Sequence, residues 1–366
     1  MKKTLLATAI VSALVASTAA SAATVYDKDG TTLKVNARIE AQWYNAGSSM
    51  NYSGEKAPGN NDSSIYNWAR MGLDGRSKIN NYMTAFGYME FDVADGDNKK
   101  DGMSARDQYI GVDFGSFGAV KTGRYKSLMN TVVGATDVLP GDGVSGKAYI
   151  VGNDRAAGKL TYTWNGYGVL LGAEYQSAKN EYTDGAYDKK NIEGGYNLIA
   201  GYTTPSVLFG PISIKAGYSY MRGQDDKSVF EDSKAKGYAA SLAWGVASKG
   251  LYLATEYSHV TVDQYGSEPD EDWDSVEVAV KYSFDNGFLV GTGYQYKSYE
   301  IDGGKDYACS QLPFAVEYNF NPNFKVYAQG IIGLSNDKDN TKDAWKKLGP
   351  THGEGNSFGL GARYTF

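Results

Sequence analysis

The sequence has very little of three residue types on which other classes of protein depend: it contains 1 Cys, 2 His and 8 Pro among 366 residues. A single cysteine, Cys309, excludes an intramolecular disulfide, and without a redox partner we expect a loop thiol of no function. The two histidines, His259 and His352, belong to no recognisable catalytic motif. An enzymatic site needs a base near a nucleophile or paired carboxylates, so the residues do not predict an enzyme. They also contain no cofactor or metal-binding motif.

Long hydrophobic runs and an excess of positive charge are also missing. A transmembrane helix needs about 20 apolar residues, and no segment after the N-terminus approaches this in a chain whose mean hydropathy is −0.43. A helical membrane protein is therefore excluded. The formal net charge is −6, and this acidic balance argues against a nucleic-acid partner, which requires a basic face.

The N-terminus has the three parts of a secretory signal. Lys2 and Lys3 give a positive start, an apolar run extends over 5–16, and Ala20-Ser21-Ala22 matches an A-x-A cleavage site. The apolar run is too short to anchor the chain as a helix. We therefore predict a cleaved signal peptide over 1–22 and a single domain over 23–366, because no linker or shift in composition divides the remainder.

The residues present favour β-strands. The chain contains 45 Gly and 30 Tyr, which suits a pleated wall with aromatic girdles. Between Leu33 and Trp43 every second residue is apolar, and Lys34, Asn36, Arg38, Glu40 and Gln42 occupy the other face. This alternation fits a soluble β-sandwich as well as a membrane barrel.

The lengths of the connections separate these two folds. The alternation predicts sixteen strands, at 32–43, 68–79, 83–93, 105–114, 118–125, 155–165, 169–177, 196–203, 212–222, 236–248, 251–262, 274–283, 288–301, 312–320, 324–332 and 357–366. Tight turns such as Asn165-Gly166 and Lys249-Gly250 alternate strictly with long polar loops such as 126–154, 178–195 and 302–311. Short turns on one side and long loops on the other are typical of outer-membrane barrels. We predict an all-β, 16-stranded antiparallel transmembrane β-barrel in the outer membrane, with short periplasmic turns, long extracellular loops and both termini periplasmic.

The C-terminal strand carries an aromatic ending. Its apolar face ends in Tyr364 and Phe366, which resembles the signal read by the outer-membrane assembly machinery. The alternative is an ordinary closing strand with Phe366 in the interfacial girdle. Aromatic residues near other strand ends, namely Trp43, Trp68, Tyr257 and Tyr282, are predicted to lie in the same girdles.

Several short motifs resemble the general diffusion porins of Gram-negative bacteria over essentially the whole chain after residue 22. They are Ala23-Thr24-Val25-Tyr26-Asp27-Lys28-Asp29-Gly30, Trp68-Ala69-Arg70-Met71-Gly72, Gly115-Ser116-Phe117-Gly118 followed by Gly123-Arg124, and Thr136-Asp137-Val138-Leu139-Pro140. The resemblance implies a homotrimer whose water-filled pores pass small polar solutes and ions by passive diffusion. It also implies that the third loop, 126–154, folds into the barrel and narrows the pore. The glycines between 111 and 118 are expected to allow close wall-to-wall packing, or merely to relieve crowding at a turn.

The resemblance assigns residues to a pore constriction. The basic side of this constriction is Arg38, Arg70, Arg106 and Arg155. Arg38 and Arg70 also lie on polar strand faces, which agrees with the alternation. Asp137 matches the first acid of the loop, whereas Gly141 stands where the family has its second acid, and Asp142 is the candidate replacement. Lys147 adds a positive charge, so a weaker preference for cations than is usual in the family is expected.

Other interpretations stay open at this point. The arginines fit equally a lumen in which they simply pair with carboxylates. A channel specific for a sugar or an anion would need a row of aromatic residues or a denser basic cluster, and a purely structural barrel or adhesin would not conduct ions. Outer-membrane lipid and lipopolysaccharide are further expected partners, since carboxylates in the loops have the oxygen chemistry that divalent cations prefer.

Overall fold

The computed structural model describes residues 22–46, 64–93, 102–139, 155–184, 187–224, 233–264, 269–304, 306–334 and 356–366. These residues form the strands β1 (Ala23–Lys28), β2 (Thr31–Ala46), β3 (Ser64–Lys78), β4 (Thr84–Val93), β5 (Met103–Asp113), β6 (Ala119–Tyr125), β7 (Ala156–Gly166), β8 (Val169–Gln176), β9 (Lys179–Asp184), β10 (Tyr187–Val207), β11 (Gly210–Gly223), β12 (Lys234–Val246), β13 (Lys249–Asp263), β14 (Glu271–Ser283), β15 (Phe288–Ile301), β16 (Tyr307–Asn319), β17 (Phe324–Gly333) and β18 (Ser357–Thr365). The helical segments among them are a 3-10 turn (Gly115–Phe117) and the single turn α1 (Asn130–Val133). No helix in the described ranges is long and apolar enough to cross a membrane.

The sheet closes on itself as a ring of sixteen antiparallel strands. Each strand from β2 to β18 pairs with its neighbour, and β18 pairs with β2 from Ser357 opposite Ala46 to Thr365 opposite Arg38. β8 and β9 both pair with the long β10 and occupy one position in the ring. Closure leaves no strand edge in the hydrocarbon layer, where unpaired backbone groups are costly. The predicted 16-stranded barrel is confirmed.

The two ends of the described chain share one partner strand. The Phe366 amide donates to the Ala37 carbonyl at 2.8 Å, and Ala23 pairs with Val35, two residues earlier in β2. β1 therefore prolongs the line of β18 in the same direction. At this position Tyr364 and Phe366 point outward, 45% and 48% exposed, with their rings edge to face at 5.0 Å; their role in assembly stays a prediction.

The period-two pattern of the sequence becomes the inside and outside of the barrel. Along β12, buried and exposed residues alternate without interruption from Lys234 to Ala243. Large apolar side chains at outward positions, including Leu198, Ile214 and Leu242, are 44% to 57% exposed. Exposed apolar groups on a transmembrane barrel face lipid, and the inward positions of β12 hold small residues and one serine.

The predicted boundaries fail where strands extend beyond the apolar alternation. The loop expected at 178–195 is mostly strand, because β9 and the start of β10 form a paired hairpin there. β16 begins at Tyr307, so Cys309 is a strand residue, 5% exposed, and not the expected loop thiol. Above the hydrocarbon layer a strand needs no apolar face, and its sequence then reads as a polar loop.

Two predicted turns are displaced by two residues. The β7–β8 turn lies at Tyr167-Gly168 and not at Asn165-Gly166, and both turn residues have positive φ, 55° and 83°. Positive φ at both central positions is the geometry of a type I′ hairpin, which favours glycine. The β12–β13 turn lies at Ala247-Ser248, so Lys249 and Gly250 already belong to β13.

A buried ion pair joins the first and last strands of the ring. Glu40 of β2 is fully buried and accepts hydrogen bonds from Arg363 Nε at 2.6 Å and Nη2 at 2.9 Å. The Tyr327 hydroxyl and the Gln42 amide also donate to Glu40. The carboxylate is thus satisfied by β2, β17 and β18 together, and it links the three strands that meet at the seam of the barrel.

We predict that Arg363→Met lowers the free energy of unfolding by about 3 kcal/mol, because it leaves a buried carboxylate without its cation. Urea unfolding of the refolded barrel, followed by tryptophan fluorescence, measures this. The control is Arg222→Met, which removes an exposed partner of Glu193, 3.2 Å away, and should cost under about 1 kcal/mol. Equal losses would contradict a special role for the seam.

Candidate functional site

The segment 126–139, called here the inward loop, lies inside the barrel against one wall. Its apolar side chains Leu128, Met129, Val132 and Val133 pack on Leu170, Ile199 and Ala239 of β8, β10 and β12. Two glycines of this wall leave room for the side chains of the inward loop. A Cβ atom on Gly172 would lie 2.7 Å from Leu128 Cδ2, and one on Gly217 would lie 2.5 Å from Met129 Sδ. The wall is therefore shaped to receive the loop, since such distances are too short for nonbonded carbon or sulfur atoms.

Polar side chains of the same wall bind the inward loop along its length, four of them at its backbone and Glu277 at the Thr136 side chain. The contacts are Leu128 N to Glu174 Oε2 at 3.2 Å, Lys215 Nζ to Thr131 O at 3.0 Å, Tyr252 Oη to Ala135 O at 2.8 Å, Thr136 Oγ1 to Glu277 Oε2 at 2.7 Å and Lys281 Nζ to Val138 O at 3.0 Å. Hydrogen bonds to charged groups are stronger than neutral ones. The predicted inward fold of the third loop is confirmed over these residues. Asp142 and Lys147 lie outside the described residues.

Three of the predicted arginines lie on the inner faces of β2, β3 and β5, across the lumen from the inward loop. Arg38 and Arg70 are cross-strand partners, and both guanidinium groups lie over the ring of Trp68, 4.4 and 5.1 Å from its centre. Trp68 therefore faces the lumen, and its predicted position in an interfacial girdle is wrong. Residues 68 and 70 lie on the same strand face, so the alternation of the sequence is enough to predict that Trp68 faces the lumen. Trp43 lies outside, edge to face with Phe358 at 6.3 Å.

Carboxylates on the same wall pair with these arginines. Arg70 Nε lies 2.8 Å from Asp92 Oδ1, and Arg106 lies 2.8 Å from Glu90 Oε1 and 2.7 Å from Asp92 Oδ2. The two arginines and two acids form one network across β3, β4 and β5. Sequence reasoning missed both acids, although the alternation of β4 places Glu90 and Asp92 on one face.

A β-bulge explains how Arg106 reaches this network. The register between β4 and β5 shifts between Met89 and Phe91, so that two residues of β5, Arg106 and Asp107, stand opposite Glu90. A bulge turns an extra side chain to the same face. Arg106 contacts Glu90, while Asp107 accepts a hydrogen bond from Arg155 Nε at 2.5 Å. All four predicted arginines are thus placed, and two of them depend on this irregularity.

The two sides of the lumen differ in exposure. The arginine wall, defined here as the inner faces of β2 to β6, is partly open around its arginines, with side-chain exposures of 14% for Arg70, 21% for Arg106 and 35% for Asp92, whereas Glu40 and Gln42 at the seam are buried. On the opposite wall, Ser258 and Ser275 are fully buried and Glu277 is 1% exposed. The Asp137 side chain, on the inward loop, is exposed. The open space therefore lies between the inward loop and the arginine wall.

A polar cavity of about 360 Å³ adjoins the inward loop beside Asp137. Charged residues of both signs line it, namely Lys281, Glu317, Lys325 and Arg363. Lys325 Nζ pairs with Glu317 Oε2 at 2.7 Å. The cavity joins the loop to the seam of the barrel, so the loop and the seam belong to one charged region.

The comparisons with known proteins agree on one family. A sequence model of the Gram-negative porin family matches residues 7–340. The outer membrane porin protein OmpD of Salmonella typhimurium is 27% identical over 94% of this chain and 96% of its own length. Among solved structures, the OmpF of Salmonella typhi in complex with daunomycin has a TM-score of 0.75 at 19% identity, covering 94% of this chain and all of that one. The trimer form of OmpT from Vibrio cholerae has a TM-score of 0.63 at 18% identity, covering 92% of this chain and all of that one.

We predict that Gly217→Val lowers single-channel conductance, because the added carbons push Met129 and the inward loop about 1 Å into the open space. Conductance in a planar bilayer measures this. Gly75→Val is the control, since a Cβ there has no neighbour closer than the Gly87 carbonyl at 3.9 Å. An unchanged conductance in Gly217→Val would show that the inward loop does not limit the pore at this point.

Proposed function

The chain belongs to the Gram-negative porin family, and we propose that solutes cross it between the inward loop and the arginine wall. As a porin it forms a water-filled channel in the outer membrane, through which small hydrophilic solutes and ions diffuse passively. The observation that carries the proposed path is the fastening of the inward loop to the wall opposite the arginines. A path on the fastened side would have to break five polar contacts and an apolar cluster, whereas the arginine wall is already partly open.

We propose that the constriction consists of the arginine wall, the neighbouring Arg155 just before β7 and the inward loop. Its basic members are Arg38, Arg70, Arg106 and Arg155. Asp137 is its acid on the loop, with Asp142 and Lys147 as further members. Opposed charges across a narrow aqueous gap create a transverse field, because low-dielectric walls focus field lines. Such a field favours polar solutes, since an apolar solute must displace the water that the field orders, while the gap sets the size limit.

The ion pairs of the arginine wall bear on selectivity. Glu90, Asp92 and Asp107 lie among the four arginines, so most of the positive charge has a neighbour of opposite sign. Gly141 lacks the second loop acid of the family and Lys147 adds a cation. We therefore propose a weak ion preference, with the mixed charges serving mainly to order water and limit solute size.

An aromatic row favours a channel specific for a sugar as the second candidate. Tyr88, Tyr109 and Tyr125 follow one another across the inner faces of β4, β5 and β6, with ring centres 5.4 and 5.7 Å apart. Lys121 Nζ lies 4.1 Å from the centre of the Tyr125 ring. Aromatic faces bind the apolar sides of planar or cyclic solutes. Saturation of sugar flux with rising concentration distinguishes this candidate from simple diffusion.

We further propose that the chain works as a homotrimer, which the trimer form of the structurally similar OmpT supports. The glycines between 111 and 118 do not carry this proposal. A Cβ on Gly111 would lie 2.4 Å from Phe86 Cζ, and one on Gly118 would lie 2.3 Å from the Thr163 carbonyl. These glycines are accounted for by crowding within one barrel, which was the alternative interpretation.

Lipid and assembly partners complete the proposal. Arg222 and Lys236 lie at outward, partly exposed positions near the loop ends of β11 and β12. Cations at this height suit the phosphates of lipopolysaccharide. Tyr364 and Phe366 are the proposed recognition residues for the assembly machinery.

We predict that Arg106→Gln shifts the reversal potential toward cations, because Glu90 and Asp92 then share only Arg70. The shift should be clear below about 0.1 M salt and fade at 1 M, where screening shortens to about 3 Å. A planar bilayer with a salt gradient measures it. Arg76→Gln is the matched control on the same wall, since Arg76 Nε pairs with Asp74 at 3.3 Å and is more exposed. Equal shifts would show that charge is spread along the lumen without a constriction.

We predict that unheated protein migrates in detergent gels near three times the mass of the heated chain. Barrels that associate through their walls resist mild detergent, whereas heating unfolds both barrel and trimer. Migration as a monomer under mild extraction in several detergents would contradict the homotrimer.

A further inference from the structure

The polar cavity beside Asp137 lies near the periplasmic ends of the strands, between the inward loop and the seam. Its volume of about 360 Å³ is within the range of pockets that hold small molecules, about 300–1,000 Å³. Ala247 and Ser248, in the short turn between β12 and β13, contribute to its lining, and Arg363 lies on its seam side. We call it the seam cavity. On the proposed path, a solute that has passed the inward loop meets this cavity next.

Three of the charged residues that line the seam cavity are already paired with a charge of opposite sign. Lys325 Nζ lies 2.7 Å from Glu317 Oε2, and both residues belong to the lining. Arg363 Nε lies 2.6 Å from Oε2 of Glu40, the buried carboxylate of the seam. These contacts balance the charges on the seam side of the cavity.

The other two charges of the lining have no such partner. Lys281 is 9% exposed, its Nζ donates to the Val138 carbonyl at 3.0 Å, and no carboxylate of the described residues lies within 4.0 Å of it. Asp137, the residue before Val138, is exposed and forms no ion pair within the described ranges. A charge that is taken out of water is normally paired, because an unpaired one costs free energy. One cation and one anion of the lining are therefore left for an occupant of the cavity to match.

Apolar side chains complete the lining. Leu139 of the inward loop and Leu289 of β15 both line the cavity and are 8% and 7% exposed. Leu139 packs on Ala315 and Ile331 of the barrel wall, so this part of the lining is held in place. The seam cavity thus presents one positive group, one negative group and an apolar surface.

We propose that the seam cavity binds zwitterionic amino acids that have an apolar side chain. The carboxylate of such a solute lies at Lys281, its ammonium group at Asp137, and its side chain against Leu139 and Leu289. Interactions between charges are strengthened where low-dielectric walls exclude part of the water. A sugar, a simple anion or a simple cation leaves at least one of the two charges unmatched. The inference rests on the proposed passage of small hydrophilic solutes and names one class of them.

Isothermal titration calorimetry on protein refolded into detergent tests this proposal with three probes of similar shape. At neutral pH, L-leucine carries both charges, 4-methylpentanoate lacks the ammonium group, and 3-methylbutylamine lacks the carboxylate. Titrations into detergent alone are subtracted, so that partitioning of the probes into micelles does not count as binding. We expect L-leucine to bind at least about fivefold more tightly than either analogue, because only L-leucine matches both charges.

Two variants test the two charges separately. Lys281→Gln keeps a donor for the Val138 carbonyl but removes the positive charge, so it should lose the preference for L-leucine over 3-methylbutylamine. Asp137→Asn should lose the preference for L-leucine over 4-methylpentanoate. The control is Lys215→Gln, which makes the same change at another contact with the inward loop, Nζ to the Thr131 carbonyl at 3.0 Å. Lys215 does not line the seam cavity, so this variant should bind L-leucine within about twofold of the parent.

Equal binding of the three probes by the parent overturns the proposal, and so does an unchanged preference in either charge variant. If Lys281→Gln fails to refold, Asp137→Asn decides the question, because the exposed Asp137 side chain is not among the contacts that hold the inward loop. Binding is measured in detergent and conductance in a planar bilayer, so the two results are independent. A chain that conducts ions without preferring L-leucine overturns this inference alone, whereas one that prefers L-leucine without conducting contradicts the proposed function alone.

Discussion

The structure depends on one constraint, which is that no backbone amide or carbonyl within the hydrocarbon layer can lack a partner. A closed ring of strands satisfies this, and here closure is completed where β18 meets β2. Once the ring is closed, the pleat divides every strand into an outward and an inward set of side chains. Lipid selects apolar residues for the first set. The second set becomes polar, and its charges must be satisfied within a space one barrel wide.

The inward polar groups find their partners in different ways on the two sides of the interior. On the side of β8 to β17 the inward loop covers the wall and supplies partners, with lysines donating to its carbonyls and apolar side chains filling the hollows left by glycines. On the side of β2 to β6 the wall supplies its own partners, as acids and arginines pair across adjacent strands. One side is therefore packed like a protein core, while the other is a polar surface. The proposed solute path follows the second.

The sequence predicts most of the strands because lipid outside and water inside impose a period of two, and no tertiary contact is needed to see it. Arg38 and Arg70 follow from the same rule. Arg106 and Asp107 do not, because the bulge in β5 breaks the alternation there and turns two adjacent charged residues to one face. Lys215 and Lys281 read as ordinary lumen lysines, and their bonds to the inward loop join residues more than eighty positions apart. β9 was not predicted, because a strand that extends beyond the membrane has no apolar face.

β1 and β18 pair end to end with β2, so the two ends of the described chain lie next to each other in the barrel wall. Residues 366 and 23 follow each other along a single partner strand, two positions apart in its register. If residues 1–22 are removed as predicted, the connectivity is close to circular, and which strand comes first depends on where the backbone is interrupted and not on which contacts are made. A short linker from Phe366 to Ala23 would join these two ends. A tight turn such as Leu208-Phe209 could then be opened to give a circularly permuted chain with the same set of paired strands.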